Sequence, residues 1–109
     1  MNMTNSSGNV FTDLGFDKEE AANLLIRSEL IIELSDLIKK SGLKQNEMAK
    51  LLGVKQPDIS AIMKRKIEKF TIDRLVNFLT CLNQEVMVKT KPRRRKNNQN
   101  IAERYAIGQ

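Results

Sequence analysis

The stretch QNEMAKLLGVKQPDISAIMK, from Gln45 to Lys64, carries its small and apolar residues where two short crossed helices require them. With a helix beginning near Gln45, Ala49 falls on its inner face, where a closely crossing partner helix leaves room for little more than a methyl group. Gly53 marks the stop. Glycine enters the left-handed conformation without steric cost, and Val54 after it can fold back as the apolar plug of the turn. Lys55 and Gln56 lead into the second helix. Pro57 suits its first position, where no backbone N–H is needed and φ is already helical. Ile59 and Ile62, three apart, share a face and close a small core with Met48, Leu52 and Val54. Asp58, Ser60, Ala61 and Lys64 are expected to point outward.

Charge singles out the same region. The net charge is +6, but residues 1–38 hold two basic and seven acidic side chains, and residues 39–69 hold nine basic and three acidic. Residues 91–109 add six basic and one acidic. A basic block centred on paired helices is the electrostatic footprint of a duplex-binding surface, because each phosphate neutralised releases counterions.

These residues resemble the Cro/repressor-type (XRE) helix-turn-helix family, and within it the antitoxin-type regulators. The recurrent text of those regulators includes GLTQxxAAxLLGVSQPxIS and FTIDxLVxxL. The matching text here is EAANLLIRSEL (Glu20–Leu30), GLKQNEMAKLLGVKQPDIS (Gly42–Ser60) and KFTIDRLVNFL (Lys69–Leu79), so the likeness runs from about Val10 to Thr90. The resemblance implies an all-α, lambda-repressor-like bundle of about five helices, with a short C-terminal β-strand for dimer pairing. It also implies a homodimeric repressor of an operator in double-stranded DNA, the antitoxin of a type II toxin–antitoxin pair that masks a small basic toxin. A stand-alone phage or host regulator and a protein-interaction module without DNA are the alternatives.

In that architecture the second helix lies in the major groove. Gln56 can pair bidentately with adenine, Ser60 and Lys64 can reach a base or phosphate one turn apart, and the Ala61 methyl can touch a thymine methyl. Asp58 can accept from cytosine N4 or serve as a helix-dipole partner. Lys44, Gln45, Lys55 and Lys66, at helix starts or in the basic turn, fall to phosphates. The family commonly has Thr or Ser as the cap before each motif helix, whereas this chain has Lys44 and Lys55. A lost cap costs about 1 kcal/mol, and a cation at a helix N-terminus opposes the macrodipole. Bound phosphate reverses that sign, so the two lysines are expected to trade stability for backbone contacts.

The rest of the chain frames this motif. Residues 1–16 read as an N-terminal extension, polar and expected to be mobile at first, in which Phe11, Leu14 and Phe16 return toward the body. Residues 17–90 read as the DNA-binding domain with its dimerisation strand, and 91–109 as a basic tail that either grips phosphates or solubilises. Asp17 is a fair N-cap for one long helix over about Lys18–Lys40, interrupted if anywhere near Arg27 to Ser28. Leu30, Ile31, Leu34, Leu37 and Ile38 form its core stripe. The run Leu24, Leu25, Ile26 is wider than one stripe buries, so either the folded-back extension or a partner protein or dimer contact covers it. Thr71 caps a helix that buries Ile72, Leu75, Val76, Leu79 and Leu82, closed by Asn83. QEVMVKTK (Gln84–Lys91) alternates as a short strand, and Val86, Met87 and Val88 are the dimerisation residues. IAERYAIGQ at the end can form a helical turn.

Composition excludes other classes. Four Phe and one Tyr predict an aliphatic core. The single Cys81 rules out an internal disulfide, argues for a reducing, cytoplasmic compartment, and is expected to be a buried inert thiol. With no His and one Cys, the usual zinc sets and general bases are missing, so neither a metal, a cofactor nor an enzyme is expected. No apolar run reaches the ~20 residues of a membrane span, and MNMTNSSGN lacks the pattern of a signal peptide.

Overall fold

The computed structural model describes residues 9–92. Its axis is α2, Lys18–Ser41, an unbroken helix of 24 residues and so about 36 Å long. Local chemistry sets both ends. Asp17 Oδ1 accepts from the Glu20 N–H at 2.8 Å, and Glu19 and Glu20 lie in the first turn, where the macrodipole favours anions. Lys39 and Lys40 occupy the last turn, and Gly42 terminates the helix at φ 75°. The interruption considered near Arg27 does not occur.

Two groups of side chains use this axis. Ala21 and Leu24 are buried in its N-terminal half, where α1 (Val10–Asp13) packs. Asn9 ties that contact down, accepting from the Phe11 N–H at 2.9 Å and donating to the Ala21 carbonyl at 3.1 Å. Ile31, Leu34 and Ile38 belong to the main core with Met48, Ala49, Leu52, Ile59, Ile62, Phe70, Leu75, Phe78 and Leu79. Leu30 and Leu37 pack at its margin. The folded-back extension covers the Leu24–Ile26 run only in part: Leu24 is buried, whereas Ile26, Val10, Leu14 and Phe16 are exposed. Of the three residues expected to turn inward, only Phe11 is half-buried, its ring edge-on to Phe16. A helix of four residues cannot cover a face wider than itself.

After Gly42 come α3 (Gln45–Leu52), α4 (Gln56–Met63), a 3₁₀ turn at Ile67–Lys69 and α5 (Ile72–Cys81). The turn between α3 and α4 closes as its text predicts. Gly53 sits at φ 71°, with the Val54 N–H on the Ala49 carbonyl at 2.9 Å and the Gly53 N–H on that of Lys50 at 3.3 Å. This paired closure satisfies two end-of-helix carbonyls. Pro57 takes the second helical position, one later than expected, where its missing N–H is still not required.

At α5 the Thr71 hydroxyl accepts from the Arg74 N–H at 3.2 Å, and Asn83 closes the helix at φ 65°. The core is not purely aliphatic. Phe70 and Phe78 are buried edge to face, 6.2 Å between centroids, with the Arg74 guanidinium 5.2 Å from each ring. Cys81 is exposed rather than buried. It lies about 110° around α5 from the middle of the buried stripe, so the apolar composition of the helix does not bring it inward. Ile72, Val76 and Leu82 are half-buried.

Among the described residues there is no strand. Gln84–Lys91 has no regular structure: Val86 packs against the core, whereas Met87 and Val88 are 82% and 85% exposed. A strand exists only against a partner backbone, and the described residues of one chain offer this segment none. The tail beyond Pro92, with its proposed helical turn, and the first eight residues lie outside the described residues.

Candidate nucleic-acid interface

Helical geometry sorts the outward residues of α4. At 100° per residue, Gln56, Ser60 and Lys64 fall within an arc of about 80°, flanked at about 60° from Ser60 by Pro57 and Met63. Gln56, Pro57 and Lys64 are exposed, and Ser60 is half-buried. Gln56 Nε2 lies 3.4 Å from Gln45 Oε1, which brings the starts of α3 and α4 side by side. The amide retains an acceptor oxygen and a second N–H, the pair that adenine N6 and N7 demand.

Two expected base contacts do not share this arc. Ala61 is only 8% exposed and belongs to the core, about 100° from Ser60. The buried arc of α4 is wider than the Ile59–Ile62 pair suggests, because α4 packs on α2 as well as α3. Its methyl is therefore not outward as expected. Asp58 lies about 160° from Ser60, is half-buried, and faces α5, where its carboxylate is 3.9 Å from the Arg74 guanidinium. Of the two roles open to it, the geometry favours the internal one. Pro57, adjacent to Gln56 and exposed, supplies the apolar contact surface that Ala61 does not; its exposure follows from the i, i+3, i+7 pattern of the outward face.

The cations divide by type. All three described arginines bond to the protein itself. Arg27 donates to the Ile67 and Phe70 carbonyls at 3.1 and 3.2 Å and to Asn23 Oδ1 at 2.7 Å, Arg65 reaches Ser35 and Asp36, and Arg74 stacks on two rings. Lys44, Lys55, Lys64 and Lys66 are exposed and form no ion pair among the described residues. Compact ammonium charges on flexible stems suit sequence-independent phosphate contact.

Neither motif helix has a side-chain cap at its N-terminus. At Lys44, however, the loss is partly offset by Glu47, whose Oε1 accepts from the Lys44 N–H at 2.9 Å. A lysine ammonium has no acceptor, so only this reciprocal half of a capping box exists. The Lys-x-x-Glu spacing is legible in the text and marks that half. Lys55 has no such compensation. In urea melts Lys44→Thr, which completes the box, and Lys55→Ser are each expected to gain about 1 kcal/mol; if neither exceeds the parent, the lysines carry no stability cost.

Two short helices crossing at a glycine turn, the second presenting polar side chains between exposed lysines, define a helix-turn-helix DNA-binding domain. Residues 10–91 match the helix-turn-helix domain family. A solved structure described as an XRE family transcriptional regulator shares 33% identity and a TM-score of 0.62, over 71% of this chain and 89% of that one. No curated protein matches the sequence. The chain belongs to the XRE family of helix-turn-helix transcriptional regulators. Among the described residues no helix is long and apolar enough to cross a membrane, and no group of His, Cys, Asp and Glu could hold a metal ion.

Proposed function

We propose that the protein is a non-enzymatic, cytoplasmic, sequence-specific repressor that reads its operator with Gln56, Ser60 and Lys64. Lys44, Gln45, Lys55 and Lys66 hold the phosphates on either side, and Pro57 takes the thymine methyl in place of Ala61. The observation that carries this reading is the single arc of α4 on which the three polar residues lie, with exposed lysines around it. The functional unit is a dimer paired through Val86, Met87 and Val88; the exposure of Met87 and Val88 and the segment's lack of regular structure suit a segment that gains its partner from a second copy. Such a dimer addresses half-sites roughly 34 Å apart. Gln56→Ala is expected to cost about 1–3 kcal/mol and to relax preference at one base position of each half-site. A binding selection from random duplexes with parent and variant reads both, and unchanged preference removes Gln56 from the base-reading set.

The antitoxin role rests on a separate feature. Val10, Leu14, Phe16 and Ile26 expose apolar surface among Asp13, Asp17, Glu19 and Glu20, a combination that fits a small basic protein and has no use against DNA. Co-expression with the product of the adjacent gene tests it: a stable complex with a small basic protein supports the antitoxin, whereas operator binding without one leaves a stand-alone regulator.

A further inference from the structure

We propose that Arg65, the middle cation of Lys64-Arg65-Lys66, is a positioning residue for DNA binding. It turns away from the phosphates and locks the exit of α4 to α2, so that the lysines on either side are presented together. The inference rests on the DNA-binding reading above.

The backbone is the first observation. Arg65 has φ 56°, its N–H bonds the Ile62 carbonyl at 2.9 Å, and the Lys66 N–H bonds that of Ala61 at 3.0 Å. This is the same paired closure that Gly53 makes after α3, at a position where glycine is the undemanding residue. A side chain kept there at a conformational cost needs an interaction that repays it. The side chain is the second observation. Nε donates to Ser35 Oγ at 3.2 Å, and Nη2 is 3.5 Å from Asp36 Oδ1. Ser35 is 3% exposed and already donates to the Ile32 carbonyl at 3.0 Å, so its oxygen can only accept, and Arg65 is the donor it finds. A planar fork can serve two neighbouring acceptors at once, which a lysine cannot.

The consequence is electrostatic as well as geometric. Asp36 is an anion close to the basic turn, and Arg65 neutralises it where it would otherwise repel phosphate. Lys64 and Lys66, both exposed, flank a fixed point rather than the middle of a loose loop.

The test measures affinity for a duplex selected with the parent protein, across a range of salt concentrations. Arg65→Gly keeps the left-handed backbone and removes the side chain. It is expected to weaken binding roughly tenfold while leaving the slope of log K against log salt unchanged, because no phosphate contact is lost. Lys55→Ala and Lys66→Ala, at phosphate positions, should each reduce that slope by about 0.9. Asp36→Asn, although it removes a negative charge, should weaken binding about threefold by freeing Arg65. An Arg65→Gly slope reduced like those of the lysine variants, or an Asp36→Asn protein that binds as tightly as the parent or more so, overturns the proposal. If the parent selects no duplex, the DNA reading fails and the role in binding falls with it. A urea double-mutant cycle between Arg65 and Asp36, read without DNA, then shows whether the clasp itself is real.

Discussion

Ile59→Ala is expected to cost about 2–5 kcal/mol and to leave the domain near its unfolding threshold at room temperature. Ile59 is fully buried, on the helix that packs against both α3 and α2. Truncation leaves a cavity that neither neighbour can close without shifting the interface. A domain of this size has a total stability of only about 5–10 kcal/mol, so one truncation removes a large share. Ile59→Val, one methyl group smaller, should cost about 0.5–1.5 kcal/mol. Urea unfolding followed by circular dichroism reads both values, and a loss below 1 kcal/mol for Ile59→Ala would mean that the α3–α4 interface tolerates voids and is not tightly packed.

The second large effect is expected at Arg27. Its guanidinium spans from α2 to the Ile67 and Phe70 carbonyls, in the chain segment that links α4 to α5. Arg27→Met keeps the apolar stem and removes the donors, leaving those carbonyls without their charged partner. The expected loss is about 2–3 kcal/mol, since hydrogen bonds to charged groups are worth more than neutral ones. Arg27→Lys should recover little, because an ammonium cannot reproduce a fork that reaches two carbonyls and Asn23. Hydrogen exchange provides the sharper check. The amides of residues 67–70 should lose protection before the rest of the core, as a locally released segment does; uniform loss would mean that the guanidinium does not restrain the turn.

Some of this was readable in the text and some was not, and particular residues show where the boundary falls. Asp17, Gly42, Gly53, Thr71 and Asn83 each act within four residues of their own position, so both ends of α2 and α5 and the C-terminal end of α3 follow from local hydrogen-bonding and steric rules. Ile31, Leu34, Ile59 and Ile62 are core by period. Ala61, Cys81 and Leu14 failed that logic for one shared reason: the width of a buried stripe is set by how many neighbours a helix has. The helix α4 has neighbours on more than one side and buries its alanine, whereas α5 leaves Cys81 uncovered and α1 leaves Leu14.

The candidate site divides in the same way. Gln56, Ser60 and Lys64 at i, i+4 and i+8 were legible as one face, and the charge blocks marked it as the one for phosphate. That Arg27, Arg65 and Arg74 serve the protein while Lys44, Lys55, Lys64 and Lys66 form no ion pair among the described residues was not legible, because both residue types read as +1 along a sequence. Only the packed arrangement puts Ser35, Asp36, Asp58 and two backbone carbonyls within reach of guanidinium forks. Local sequence determined where helices start and stop and which residues share a face. The tertiary structure decided which charges are used inside and which remain for a partner, because that depends on contacts between distant segments, 30 residues apart for Arg65 with Ser35 and 40 and 43 for Arg27 with the Ile67 and Phe70 carbonyls.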